Sequence, residues 1–182
     1  MVHNMTVFET PILENADEWS AQYKAGWLKH HRDTGEFDWK LYRKPANVQS
    51  VSGGAVRLTQ SRVVLISSAG GYLRDSQAPF DAANPYGDYS IRIFPTITPL
   101  NQIAFAHDHY DHQFVDADQQ VLLPLRHLEE LADLGAIGSV APNTISFMGY
   151  QPDAARVVNV LVPQIIEAVY AERADAALLV PS

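Results

Sequence analysis

Arg62-Val63-Val64-Leu65-Ile66-Ser67-Ser68 is a continuous apolar run with no alternation of polar and apolar positions. A strand with one wet face alternates at period two, so a run like this reads as buried on both faces, as a central parallel strand is. Both faces of such a sheet need cover, and helices on either side provide it. Near the other end, Ala176-Ala177-Leu178-Leu179-Val180-Pro181-Ser182 also reads as a buried strand. The expectation is an α/β fold: three layers around a mostly parallel sheet of the Rossmann-like or flavodoxin-like kind.

The rest of the chain supplies alternating elements. Tyr89 to Pro95 alternates into a strand, Gln102 to Ala106 reads as a short buried strand, and Thr144 to Gly149 as a short strand or turn. Asn84 to Asp88 is a turn by composition. Pro124 sits where a helix begins, with Leu125, Leu128, Leu131 and Leu134 as its apolar face and Gly135 as its C-cap. Asp153 can cap a last helix, with Val157, Leu161, Ile165 and Ala168 inward and a kink at Pro163. At the other end, Asn15 and Glu18 have capping-box spacing, and Trp19, Tyr23, Trp27 and His31 follow at helical spacing. That stripe reads as core or interface packing; Gly35 closes the helix, and Phe37 to Pro45 forms an irregular arm. Residues 1–55 therefore read as a helical N-terminal extension, and 56–182 as the α/β domain.

At 182 residues the chain is long enough for one real core. Its 13 basic and 21 acidic residues give a net charge of −8, which offers no electrostatic support for nucleic-acid or anionic-membrane binding. The apolar stretch from Val157 to Ala171 contains Asn159, Pro163, Gln164 and Glu167, which argues against a membrane span. Met1 to Met5 lacks the pattern of a secretory signal, so a cytoplasmic location is expected. With zero cysteines, the sequence holds no disulfide, thiolate metal site or cysteine nucleophile.

Titratable chemistry concentrates in His107-Asp108-His109-Tyr110-Asp111-His112. If the preceding strand stays extended, His107, His109 and Asp111 share a face, with His107 and His109 about 7 Å apart at Cα. His107, His109 and His112 would then be candidate ligands for a divalent metal such as zinc or iron. As a string the cluster resembles the His-x-His-x-Asp-His motif of metallo-β-lactamase-type hydrolases. The further ligands those enzymes need are missing downstream, where only His127 follows. Alternatively, the histidines belong to a polar loop. A second concentration is Ala69-Gly70-Gly71, where a strand runs into small residues, a common place for a ligand site in α/β sheets.

Val63 to Arg74, followed by Gln77-Ala78-Pro79-Phe80-Asp81, resembles the selenoprotein B family of glycine, sarcosine, betaine and D-proline reductases. Tyr89 to Pro95, His109-Tyr110-Asp111 with Asp116-Ala117-Asp118, Leu123 to Leu131, Gly135 to Ser139, and Ser146 to Tyr150 follow in the same order. The resemblance runs from Arg62 to Ser182 and leaves the first 50 to 60 residues aside. It implies an oxidoreductase subunit that cleaves a C–N bond of a small amino acid or betaine-like substrate. In the family, the strand similar to Ala176–Ser182 is followed at once by selenocysteine or cysteine, two residues, then cysteine. The resemblance thus implies that this chain is a truncated form, stopping just before a UGA codon.

On that resemblance, His107, His109 and Asp111 would orient or protonate the substrate. Ser67, Ser68, Gly70 and Gly71 would offer hydroxyls and backbone N–H groups to its carboxylate, with Arg74 adding a bidentate fork. Partners would be the small-molecule substrate and either further copies or other reductase subunits, one of which can supply a pyruvoyl group; this chain has no Thr-Cys or Ser-Cys pair to generate one. Two rival readings stand beside it: a metal-dependent or metal-binding protein using His107, His109 and His112, and a noncatalytic assembly subunit using the Trp19, Tyr23 and Trp27 face.

Overall fold

A computed structural model of the chain describes residues 11–49 and 54–182. The signal-peptide reading of Met1 to Met5 lies outside them. In chain order the elements are α1 (Ala16–Tyr23), a π-turn (Lys24–Leu28), α2 (Lys29–Thr34), β1 (Arg62–Ser67), β2 (Gly71–Leu73), β3 (Ile91–Pro95), β4 (Ile103–Phe105), α3 (Gln113–Ala117), α4 (Leu125–Asp133), β5 (Ser139–Val140), β6 (Asn143–Phe147), α5 (Ala154–Arg156), a second π-turn (Val157–Leu161), α6 (Val162–Ala171) and β7 (Ala176–Val180).

Strand β1 sits where its apolar run requires. It pairs in parallel with β5 and then β6 along one side, and with β7 along the other. Val63 and Leu65 face α4, packing in one cluster with Phe94, Ile103, Leu123, Leu125 and Leu128. Val64 and Ile66 face the opposite way, packing with Ala141, Ile145 and Ala168 under α6. Full burial of such side chains stabilises the fold by roughly 2 kcal/mol each, so the centre of this strand anchors both layers. Strand β3 extends the sheet antiparallel to β6, while β2 and β4 form a separate antiparallel ribbon. The result is the expected α/β sheet, parallel except for β3.

Several sequence expectations need correction. Strand β7 is an edge rather than a buried strand: Leu178 is 38% and Leu179 68% exposed. Its apolar composition matches a central strand, but among the described residues it has a paired neighbour on the β1 side alone. On α4, Leu125 and Leu128 are buried, whereas Leu131 and Leu134 are exposed. A strict three-residue spacing falls about 60° short of a full turn at each step, so the fourth leucine comes out on the far side of the helix. Asn15 adopts a left-handed conformation and makes no side-chain cap, so the capping box does not form. Strand β4 buries only Ile103 of its three residues.

Other local signals hold. Gly35 and Gly135 close their helices at φ +77° and +70°, and Asp153 Oδ1 accepts the N–H groups of Ala155 and Arg156. The irregularity expected at Pro163 takes the form of the π-turn just before it, since proline cannot donate to the preceding turn. Residues 154–171 form a helical run that is, by length and composition, long and apolar enough to cross a bilayer. The polar residues within it do not exclude a span by length and composition. In this fold Leu161 and Ala168 are buried, with Ala168 and Ile165 packed on the sheet.

The N-terminal arm packs as the aromatic stripe suggests. Trp19, Tyr23, Trp27 and Leu28 form a cluster with Ala154 of α5. Trp19 stacks on Tyr23, and Tyr23 on Trp27, at centroid distances of 5.0 and 5.6 Å.

Candidate functional site

Strands β1 and β6 lie side by side and parallel, yet the chain leaving β1 returns through α4 on one face and the chain leaving β6 through α6 on the other. Adjacent strands whose connections part in this way leave a crevice at their carboxyl ends, the usual ligand position in α/β sheets. Ser68 follows β1, Gly149 lies two residues past β6, and Ser182 two residues past β7. An added Cβ on Gly149 would lie 3.0 Å from His107 Nε2, 3.2 Å from Ser182 Oγ and 3.2 Å from Ser68 Oγ. Three polar atoms from three distant parts of the chain thus surround a space that only the missing side chain leaves open.

The serines hold one another. Ser182 donates its N–H to Ser68 Oγ at 2.8 Å, and the two hydroxyl oxygens lie 3.1 Å apart. Ser68 N–H continues the β1–β7 ladder by donating to the Val180 carbonyl at 3.1 Å. Ser67 has a different role: its buried hydroxyl donates to the Leu122 carbonyl at 2.8 Å, tying the strand to the segment before α4.

His107 follows β4 and is 4% exposed. Its Nδ1 accepts the His109 backbone N–H at 3.1 Å, so a neutral ring carries its proton on Nε2, the atom facing Gly149. Burial holds the imidazole neutral, with His109 and His112 adding to the effect, and its pKa falls to about 4. Burial and the Asp116 carboxylate push Tyr110 up to about 12. At neutral pH His107 is therefore an uncharged N–H donor, suited to meeting an anion or a lone pair rather than to delivering a full proton.

Two aromatic stacks fix the loop. His109 lies flat on Tyr150 at 3.7 Å and 2°, and Tyr110 on His112 at 4.4 Å and 5°. Tyr110 also donates its hydroxyl to the Ala69 carbonyl at 3.1 Å, and His112 Nε2 meets the His107 carbonyl at 2.7 Å.

Of the residues singled out from sequence, the fold brings together His107 and Ser68, with His109 alongside. The extended geometry assumed for His107 to Asp111 ends with β4 at Phe105, and the segment turns instead. Asp111 consequently faces solvent and accepts the Gln113 N–H at 2.9 Å, bracing the start of α3. His107, His109 and His112 do not converge: His112 is turned to a backbone carbonyl and His109 lies against Tyr150. Among the described residues no three metal-ligating side chains gather, so the metal set is not assembled. The expected Gly70 anion cradle is also not formed, because Gly70 donates its N–H to the Phe147 carbonyl at 2.9 Å. Gly71 is buried in β2 against Leu123 and Ser146. Arg74 is exposed beyond the far end of the β2–β4 ribbon, where its N–H bonds the Gln102 carbonyl, away from Gly70 and His107.

Gly149, Tyr150 and Ser182 went unassigned in the sequence reading. The signal was there for the first two: Ser146-Phe147-Met148-Gly149 is another strand running into glycine, the same pattern that drew attention to Gly70.

The family model for glycine/sarcosine/betaine reductase selenoprotein B matches residues 46–181. The chain is also similar to D-proline reductase subunit gamma of Acetoanaerobium sticklandii, at 30% identity over 122 residues. That match covers 67% of this chain and 49% of the relative, so the chain spans about half the relative's length. No solved structure matches it. The matched span takes in all seven strands among the described residues, the His107 loop and Gly149, and the chain belongs to the glycine/sarcosine/betaine reductase selenoprotein B family.

Proposed function

We propose that this chain forms the sheet-edge site of a reductase subunit that cleaves the C–N bond of a small amino acid or betaine-like substrate. The carrying observation is the meeting of His107 Nε2, Ser68 Oγ and Ser182 Oγ around Gly149. A (seleno)cysteine following Ser182 would begin at this edge, beside a neutral N–H donor and two hydroxyls. Selenolate or low-pKa thiolate is the nucleophilic form at neutral pH, and such donors favour it over the protonated form.

In the proposed reaction the selenolate or thiolate attacks the substrate carbon bearing the amine. A bond from carbon to selenium or sulfur forms as the C–N bond breaks, and the amine departs with the bonding pair. A neighbouring thiolate then attacks the chalcogen, and the substrate carbon leaves with its electron pair and takes a proton. The two electrons come from the thiol pair, which ends as a selenenylsulfide or disulfide and is restored by an external dithiol. His107 would steady the anionic nucleophile through Nε2–H, while Ser68 and Ser182 hold the backbone of the edge.

The relative's name describes it as a subunit, and complex formation with other reductase subunits is part of this proposal. So is a cytoplasmic location, where thiols are kept reduced.

The first test is the coding DNA after codon 182: UGA or a cysteine codon is expected, with an in-frame cysteine codon three positions further on. The second carries the chain through that region and assembles it with partner subunits. Glycine, sarcosine, betaine and D-proline are then supplied separately with a dithiol. Consumption of one of them, with one dithiol oxidised per C–N bond broken, is expected. Another residue after Ser182, or no consumption of any of the four, overturns the proposal.

A further inference from the structure

The N-terminal arm makes three separate attachments near the site, and all three converge on Tyr150. Trp39 meets the Tyr150 ring edge-on, with centroids 6.4 Å apart at 78°. Tyr42 donates its hydroxyl to the Pro152 carbonyl at 3.0 Å, two residues beyond Tyr150. His31 Nδ1 lies 3.0 Å from the Tyr86 hydroxyl, and the neighbouring Pro85 carbonyl accepts the Tyr150 hydroxyl at 3.1 Å. The same turn presses on the Tyr150 backbone: an added Cβ on Gly87 would lie 2.5 Å from the Tyr150 carbonyl oxygen. Tyr150 is therefore held at its ring, at its hydroxyl and through the chain that follows it.

What Tyr150 holds in turn is His109, stacked flat on its ring. The His109 backbone N–H selects the His107 tautomer by occupying Nδ1, which leaves the proton on the nitrogen that faces Gly149. Trp39 is not among the groups nearest the space over Gly149, which are His107, Ser182 and Ser68. It lies outside residues 46–181, the span that defines the family match.

We infer that the N-terminal arm is a positioning element for the His107 loop. Trp39, Tyr42 and His31 fix Tyr150, Tyr150 fixes His109, and His109 fixes the His107 tautomer. The inference depends on the proposed function for the use made of His107, but not for the structural linkage itself. An aromatic pair lost from such a series raises the local opening equilibrium by roughly three- to tenfold.

The test uses the full chain with 15N-labelled histidine. Long-range 15N–1H spectra report which ring nitrogen of His107 is protonated, and amide exchange of His109 reports opening of the loop. Trp39 is 52% exposed, and Trp39→Ala removes its edge contact with Tyr150 together with its packing on Trp27 and Tyr42. The wild-type chain is expected to show His107 protonated at Nε2. In Trp39→Ala, His109 exchange accelerates roughly three- to tenfold and His107 becomes a mixture of tautomers. Trp39→Phe restores both signatures, and Tyr42→Phe shifts them in the same direction by less. A Trp39→Ala chain with a lower thermal midpoint but wild-type tautomer and exchange overturns the inference, since the arm would then add stability alone. Wild-type His107 protonated at Nδ1 overturns it as well. Neither readout requires turnover, so a failed reductase assay and a failed positioning role are told apart.

Discussion

Gly70→Ala and Gly135→Ala impose the same backbone strain in different surroundings, and the pair isolates what the β1–β2 junction contributes. Both glycines have left-handed φ, +71° and +70°. For alanine that conformation costs roughly 1–2 kcal/mol. An added Cβ on Gly135 meets nothing within 4 Å. At Gly70 it would lie 2.5 Å from the Ala106 carbonyl oxygen and 3.1 Å from both the Ala106 carbonyl carbon and His107 Cβ. Relief requires the two backbones to separate, which weakens the 2.9 Å hydrogen bond from Ala106 N–H to the Gly70 carbonyl. The opposing bond, from Gly70 N–H to Phe147, is strained by the same movement. With each bond contributing about 1 kcal/mol net, Gly70→Ala should cost roughly 3–4 kcal/mol and Gly135→Ala, with strain alone, roughly 1–2 kcal/mol. Urea unfolding of the wild-type chain and both variants, followed by tryptophan fluorescence and far-ultraviolet circular dichroism, measures the difference. Equal losses, within about 0.5 kcal/mol, would refute the reasoning, because strain alone would then explain both.

His107 gives a pH dependence. Its folded pKa of about 4 lies below the ordinary 6.5, so the unfolded chain binds more protons between those values. The associated stability is complete above pH 6.5 and is lost as pH falls toward 4, with a ceiling on the order of 3 kcal/mol. The urea midpoint should fall further between pH 7 and pH 4.5 for the wild-type chain than for His107→Gln; equal falls would contradict a buried neutral imidazole. Gly149→Ala should fold, because Gly149 is outside the left-handed region and the crowding atoms belong to side chains. Its methyl group fills the space between His107 and the two serines, so turnover by the assembled reductase should fall at least about tenfold; unchanged turnover would remove that space from the mechanism.

Features set by local chemistry were readable from the sequence. β1 was legible because a continuous apolar run specifies burial on two faces, and Gly35, Gly135 and Asp153 because each acts within a few residues of itself. β7 was misjudged because an edge and a central strand can share a composition; the difference lies in the neighbours, which strand composition alone does not specify. Leu131 and Leu134 were assigned to the core because a three-residue repeat was carried past the point where a helix keeps it on one face. In the site, His107 stood out by its residue type. Its tautomer, the diversion of Asp111 to α3, and the meeting of Ser68, Gly149 and Ser182 depend on strand order. Arg74 was chosen for its chemistry, and the direction of the β2–β4 ribbon carries it elsewhere.

The edge position of β7 has a consequence for handling the protein. A one-sided strand offers main-chain donors and acceptors to any extended segment that approaches, and Leu179 provides an apolar grip beside them. Two such edges from separate copies can join as an antiparallel pair. What opposes that meeting at long range is the net charge of −8 on each copy. Its reach shrinks from about 30 Å at 0.01 M salt to about 8 Å at 0.15 M. Colloidal behaviour of the isolated chain is thus a contest between a sticky seam and a repulsive surface, with salt shifting the outcome toward the seam.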